Sequence, residues 1–371
     1  LNNRDKWCEA IWKKIEKKLE LTAKRNNQKL PYTVVDGQYD DQSQKDPNWW
    51  TNGFWPGMMW MMYAKTGEGL YKESAQEGER LLDTALKRYD ELHHDVGFMW
   101  HISSGASFRL SQNEDSKTRA MYAANVLAGR FNLRGQFIRA WNGEDQLGWS
   151  IIDAMMNLPL LYWASLESKD PRFSYIAQAH ADMTMANHLR EDGSVKHIVV
   201  HDPINGGAIG EERGQGYSEG SSWSRGQAWA LYGFALSYRY TGNTDYLAAA
   251  KRVAHYFMAC VSEDWLPKCD FRSPSEPVIY DSTAGAIAAC GLLEIGDLVE
   301  EFEKNTYYNG AYRLLMAMEQ NFCNWDDQQD SILQMGTERY HSNIGRHIPI
   351  IYGDFFFVEA ITRLLGGKSL W

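Results

Sequence analysis

Two carboxylates set among apolar and aromatic residues are the side chains best placed to move a proton. Asp153 lies in Trp149-Ser-Ile-Ile-Asp153-Ala-Met-Met-Asn-Leu-Pro, where desolvation would disfavour the charged form, raise its pKa and make it a proton donor near neutral pH. The competing reading is an Asp at a helix start, bonded to backbone N–H groups that lower its pKa. Asp95, in His93-His94-Asp95-Val96-Gly97-Phe98, has the setting of a turn. Carboxyls in unlike environments divide acid and base roles between them, if the fold brings them together.

A second constellation is Gly214-Gln215-Gly216 followed by Ser221-Ser222-Trp223-Ser224-Arg225-Gly226-Gln227-Ala228-Trp229. The planar fork of Arg225 matches a carboxylate, and Trp223 and Trp229 flank it at i−2 and i+4. Aromatic walls with a guanidinium suit an anionic sugar; the alternative is an Arg paired with a structural Asp. Trp50 and Trp141 also stand beside Gly-containing breaks and read as lining.

Metal and nucleotide chemistry find little support. His197 and His201 are four apart, but the intervening Ile-Val-Val does not look helical and no metalloprotease Glu follows. There is no Walker loop and no Gly-x-Ser-x-Gly elbow. Asp326-Asp327-Gln-Gln-Asp330 has the spacing of a magnesium-binding prenyl-diphosphate motif, but its polar loop setting reads better as a solvated turn. No metal ligands and no organic cofactor are expected.

The elements that must hold these residues are helices. The 371 residues are 44% hydrophobic and 23% charged, which suits a folded chain, and one large core over 1–371 is allowed, read as a single domain. The net charge is −10 with no Lys/Arg cluster, which argues against nucleic acid. The longest apolar stretches, Gly57 to Ala64 and Leu158 to Ala164, fall short of the roughly 18 to 20 residues of a membrane span. The printed N-terminus shows no export signal. The five cysteines are odd in number, scattered and without a Cys-x-x-Cys pair, as expected of reduced thiols in the cytoplasm.

Trp7, Ile11, Ile15 and Leu19 recur every four residues, the mark of a helix with one buried face. Several later segments share a layout of an apolar helix, a short polar break and an amphipathic helix. Trp55 to Tyr63 precedes Leu70 to Leu86, and Ile151 to Leu166 precedes a helix ending at Leu189. Ser224 to Tyr240 precedes a helix ending at Val261, and Ala284 to Leu298 precedes Tyr308 to Phe322. Further helices read at Asp115 to Phe131 and Gly353 to Leu365. Repetition at this period means stacked helix pairs, about six of them. The first helices of the pairs are almost uncharged on every side, which favours a closed toroid with Lys and Glu on its outer helices.

The chain resembles the unsaturated glucuronyl hydrolases of glycoside hydrolase family 88 from about Trp49 to about Leu365. The resemblance is carried by Trp50-Thr-Asn-Gly-Phe-Trp55, His93-His-Asp-Val-Gly-Phe98, Ile151-Ile-Asp-Ala-Met-Met-Asn-Leu-Pro-Leu-Leu161, His201-Asp-Pro-Ile-Asn-Gly206, Ser222-Trp-Ser-Arg-Gly-Gln-Ala-Trp229, Asp281-Ser-Thr-Ala-Gly-Ala286 and Tyr352-Gly-Asp354. It implies an all-α (α/α)6 barrel. It also implies removal of a 4,5-unsaturated uronic acid from the non-reducing end of lyase-generated glycosaminoglycan oligosaccharides, by hydration of the vinyl ether. Asp153 would then protonate C4 and activate water for C5, with Asp95 orienting it. Trp50, His94, Trp141, His197, Gln215, Trp223, Arg225 and Trp229 would bind the uronate. Such an enzyme acts as a monomer or homodimer. Asn52 stands where some members carry an acidic residue, at the mouth, and Thr337 to Ile351, where the family recognises the next sugar, does not match securely. The rivals are an unsaturated rhamnogalacturonyl hydrolase acting on pectin fragments and a non-catalytic oligosaccharide-binding barrel.

Overall fold

The computed structural model describes residues 3–371. In chain order its helices are α1 (Asn3–Asn26), α2 (Phe54–Thr66), α3 (Gly69–Lys87), α4 (Val96–Trp100), α5 (Ser104–Ser111), α6 (Glu114–Gly129), α7 (Leu158–Ser168), α8 (Arg172–Asn187), α9 (Ser224–Thr241), α10 (Thr244–Val261), α11 (Ser282–Leu298), α12 (Glu301–Phe322) and α13 (Ile351–Leu364). The most apolar helices form an inner ring. In it α13 packs on α2, α2 on α5, α4 on α7, α7 on α9, α9 on α11, and α11 back on α13. With α4 and α5 sharing one place in the ring, each of the six has an outer partner: α3 on α2, α6 on α4 and α5, α8 on α7, α10 on α9, α12 on α11, and α1 on α13. Pairing of the first helix with the last closes the ring into the expected (α/α)6 barrel.

The division into inner and outer helices follows from side-chain chemistry. Every residue of α2 from Phe54 to Met62 is buried, as is every residue of α9 from Ser224 to Ser237. Helices apolar all round are stable only with neighbours all round. Outer helices bury one stripe: in α3 it is Tyr71, Ala75 and Leu82, and in α1 it is Ile11, Ile15 and Leu19. The turns between partners are set by left-handed residues, Gly67 at φ 75° after α2 and Gly242 at φ 71° after α9, where glycine avoids the Cβ penalty.

Short strands decorate one end. β1 (Val34–Val35) pairs with β2 (Gln38–Tyr39), and β3 (Phe131–Asn132) with β4 (Phe137–Ile138). An antiparallel sheet of β5 (Trp149–Ile151), β6 (Ile198–His201) and β7 (Ala208–Glu212) sets Ile151 opposite Ile198. The expected helix from Ile151 therefore begins later: β5 runs into a 3-10 turn, Ile152–Met156, and α7 starts only at Leu158. Pro159 explains the start, since its ring is tolerated only in the first helical turn. α12 starts earlier than expected, at Glu301, because Glu301 and Glu303 suit the positive end of a helix. The Ser/Gly-rich α5 had no apolar period to announce it. Asp330, expected in a solvated turn, is fully buried and holds Arg25 and Asn26 of α1.

Among the described residues no helix is long and apolar enough to cross a membrane. One core cluster runs from Ile11 to Trp371. Trp371 enters the ring: its indole stacks 6.0 Å from Phe356, donates to Glu359 Oε2 at 3.1 Å, and meets the edge of Phe98 at 5.9 Å. Phe98 in turn supports Trp50 at 5.5 Å and Trp229 at 5.0 Å. Trp371→Ala is expected to lower the unfolding free energy by about 3–5 kcal/mol, the range for emptying a buried Trp site. Urea titration checks this, and a loss below about 1 kcal/mol would mean that Trp371 does not hold the floor of the ring.

Candidate active site

The inner helices are entered from the end that carries the sheet, and the residues preceding their N-termini enclose a cavity of about 420 Å³. Trp49 and Trp50 come from the approach to α2, and His93, His94 and Asp95 from the approach to α4. Trp141, Trp149 and Asp153 precede α7, Arg213, Gly214 and Gln215 precede α9, and Arg339 precedes α13. Helix N-termini carry partial positive charge, so this end of the ring favours an anionic ligand.

Asp153 sits in the 3-10 turn with 15% of its side chain exposed. Its Oδ1 has no hydrogen-bond partner, and His197 Nε2 lies 3.7 Å away. Burial, then the nearby charge of Asp95, pushes its pKa up to about 8, against weaker opposing pulls from Arg225 and a backbone N–H. The carboxyl is thus protonated at neutral pH, and desolvation prevails over the helix-start effect.

Asp95 is the opposite case. Its Oδ2 lies 3.1 Å from His93 Nδ1 and 3.2 Å from His94 Nε2, and its Oδ1 accepts from Asn157 Nδ2 at 3.3 Å. Burial alone would push the carboxyl up, but His94 and His93 outweigh it and hold the group well below the usual carboxylate range. Burial also lowers the pKa of His94, leaving a neutral ring that donates from Nε2.

His197 Nδ1 accepts the Gln215 N–H at 2.9 Å. That bond assigns the proton to Nε2, the atom facing Asp153. Burial drives this imidazole to a pKa of about 3, so it is a neutral donor. Trp223 packs against it with ring centroids 4.1 Å apart. Gly214 makes the approach possible: its φ is +56°, and a Cβ there would lie 1.9 Å from His197 Nδ1.

Trp50, His94, Asp95, Trp141, Asp153 and Gln215 line the cavity; His197 does not line it but stands against Asp153, with Nε2 3.7 Å from Oδ1. Trp223, Arg225 and Trp229 do not line it, because α9 is buried all round from Ser224. Trp229 is fully buried against Phe98 and Phe356. Arg225, 1% exposed, gives its fork to Asp281, to Thr337 O at 2.7 Å and to Glu338 O at 2.7 Å. It is therefore paired with a structural Asp, and it anchors the segment that brings Arg339 to the cavity. Asn52 is likewise no mouth residue; it is 1% exposed and ties Asp46 O and Pro47 O at 3.1 and 3.0 Å.

Sequence reasoning missed Arg213 and Arg339. Both are exposed on the cavity and neither has an ion pair among the described residues. Nothing local marks them; only the closure of the ring brings them together. Asn157, which lies within the Asp153 segment and bonds Asp95 Oδ1, also went unremarked in the sequence. Among the described residues no group of three or more His, Cys, Asp or Glu is arranged to hold a metal ion.

No family model matches the chain. It is 38% identical over 328 residues to the unsaturated glucuronyl hydrolase of Bacillus sp. (strain GL1), covering 86% of this chain and 87% of that protein. The crystal structure of the Bacillus sp. GL1 unsaturated glucuronyl hydrolase, described as responsible for the degradation of glycosaminoglycan, matches with a TM-score of 0.89 and 35% identity over 95% of this chain and 96% of that one. The unsaturated chondroitin disaccharide hydrolase of Streptococcus pyogenes serotype M1 is 34% identical over 323 residues, 85% of this chain and 80% of that protein. An Asp-to-Asn mutant of the Streptococcus agalactiae unsaturated glucuronyl hydrolase, complexed with dGlcA-GalNAc6S, matches with a TM-score of 0.83 at 26% identity over 98% of this chain and 93% of that one.

The raised pKa of Asp153 has a consequence for stability. The folded chain holds this proton more tightly than the unfolded one, so the stabilising contribution is complete below the ordinary value of 3.8 and is lost as pH rises towards about 8. Each pH unit in that window costs wild type up to about 1.4 kcal/mol. Asp153→Asn should therefore unfold at a higher temperature than wild type at pH 8 and close to it at pH 4. Calorimetry across that range checks the sign, and parallel curves for the two proteins would contradict it.

Proposed function

The chain belongs to the unsaturated glucuronyl hydrolases, and from that premise we propose that it removes the 4,5-unsaturated uronic acid from the non-reducing end of lyase-generated glycosaminoglycan oligosaccharides, with Asp153 as general acid and base. The observation that carries this reading is the unlike setting of two carboxyls on one cavity: Asp153 is buried with no hydrogen-bond partner on Oδ1, which pushes its pKa up to about 8, while Asp95 is held by His93, His94 and Asn157, which keep it well below the usual range. This is the division of labour that protonation of a carbon followed by addition of water requires.

The Asp153 proton passes to C4 as the C4=C5 π pair forms the new C–H bond, leaving an oxocarbenium at C5 shared with the ring oxygen. Now a carboxylate, Asp153 takes a proton from water as its oxygen bonds to C5. The resulting hemiketal opens to a C5 ketone, and the hemiacetal left at C1 collapses to an aldehyde and expels the remaining saccharide. Asp95 orients the uronate and keeps Asp153 protonated through its charge, while His197 Nε2–H faces the reacting carboxyl. Trp50 and Trp141 supply stacking walls. Gln215, Arg213 and Arg339 offer donors to the carboxylate and to anionic groups beyond it. Since no displacement at the anomeric carbon is involved, the carboxylate spacing that separates retaining from inverting enzymes does not apply.

The barrel serves as one catalytic domain, and the five cysteines, all unpaired in the fold, support a reducing compartment, the cytoplasm. Loss of the enol-ether ultraviolet absorbance, measured with unsaturated disaccharides from chondroitin, hyaluronan, heparin and pectin lyase digests, identifies the substrate. Turnover should fall as pH rises through about 8, where Asp153 loses its proton. Asp153→Asn should lower kcat by at least about 10³-fold, a general-acid–base loss, while still binding the disaccharide. In heavy water the product should carry deuterium at C4. Normal turnover by Asp153→Asn, or a product with no deuterium there, would remove the hydration mechanism.

A further inference from the structure

Two carboxyls face one small cavity, yet one is held as an anion and the other as an acid. The two segments that carry them meet at Asn157, a residue that is fully buried and does not line the cavity. Its Oδ1 accepts the Phe98 backbone N–H at 2.8 Å. That bond fixes the amide's orientation, since the opposite flip would set N–H against N–H. Nδ2 must then point the other way, where it donates to Asp95 Oδ1 at 3.3 Å and to the backbone carbonyl of Asp153 at 3.2 Å. The same amide therefore serves the carboxylate of Asp95 but only the main chain of Asp153, whose Oδ1 is left without a donor.

Close packing enforces this arrangement. A Cβ at Gly97 would lie 2.6 Å from Asn157 Cα and 2.6 Å from its Oδ1. Only glycine lets the start of α4, which follows directly on Asp95, reach the turn that carries Asp153. We propose that Asn157 is a positioning residue for the hydration reaction: it locks the Asp95 and Asp153 segments together and gives a donor to the carboxylate of Asp95 and none to the carboxyl of Asp153, so that the proton resides on Asp153. The proposal rests on the reading of Asp153 as the acid. Donation to an anion favours the ionised form, and it adds to the hold of His94 and His93 on Asp95.

Asn157→Asp separates the two halves of the role. It keeps the volume and the acceptor for Phe98 N–H, so the packing of α4 on the turn survives, but it replaces the Nδ2 donor to Asp95 Oδ1 and to the Asp153 carbonyl by oxygen. At pH 7 its kcat should fall roughly tenfold to hundredfold, the scale of a misplaced catalytic group, with KM within about a factor of two of wild type. Burial beside Asp95 raises the pKa of the introduced carboxyl. As pH falls towards 5 it gains a proton, becomes a donor again, and the deficit relative to wild type should shrink. Wild-type kcat at pH 7, or a deficit that does not change with pH, would overturn the proposal. If Asn157→Asp fails to fold, the Asn157 side-chain amide protons can be followed by NMR in selectively labelled wild-type protein and in Asp95→Asn. They should be protected from exchange in wild type and shift when the anion is removed; unchanged signals would overturn the proposal as well. If Asp153→Asn retains turnover, it is the assignment of the acid that fails, an outcome distinct from either of these.

Discussion

A neutral carboxyl and a carboxylate can share a small, largely apolar cavity only if groups outside the pair decide which one keeps the proton. Here the decision is made by where the donors stand. Asp95 has ring nitrogens of His93 and His94 on one oxygen and the Asn157 amide on the other, whereas the Oδ1 of Asp153 has none. The ionised partner then adds its own repulsion to the desolvation of Asp153, and the two effects reinforce each other. Much of the structure around the cavity serves to keep these few atoms in register.

That register depends on close backbone approach and on buried aromatic support. Gly97 and Gly214 lie where a single Cβ would strike Asn157 or His197. Below them Phe98, Trp229 and Trp371 form the floor on which Trp50 rests. Arg225 works at one remove, because its fork holds Asp281 and the carbonyls of Thr337 and Glu338 and so places Arg339 on the rim. The site is built on segments entering a rigid ring of helices, which holds catalytic groups better than free loops do.

The ring itself was legible in the sequence because helices as nearly uncharged as α2 and α9 have no soluble alternative to burial on all sides. Asp153 was legible for the same reason, since a polar residue in an apolar run needs an explanation, whereas Asp95 in its His-His-Asp-Val-Gly setting read locally as a turn. What the sequence could not convey is direction. Trp223, Arg225 and Trp229 have the chemistry of a sugar subsite, but they lie at the start of and within a helix that faces the interior, and the guanidinium finds Asp281 56 residues along the chain. Arg213 and Arg339, which do face the cavity, stand in polar segments without local pattern. The start of α7 was misplaced because the apolar run continues through β5 and the 3-10 turn without a change in hydrophobicity. Helix and strand cannot be told apart there by composition.

The central claim is that Asp153 rests as a neutral acid at physiological pH. Infrared difference spectroscopy between wild type and Asp153→Asn reads this directly, since a protonated carboxyl and a carboxylate absorb in separate bands. A protonated band that persists at pH 7 and converts to the carboxylate as pH rises through about 8 is the predicted result. A carboxylate band already complete at pH 5 would contradict the account.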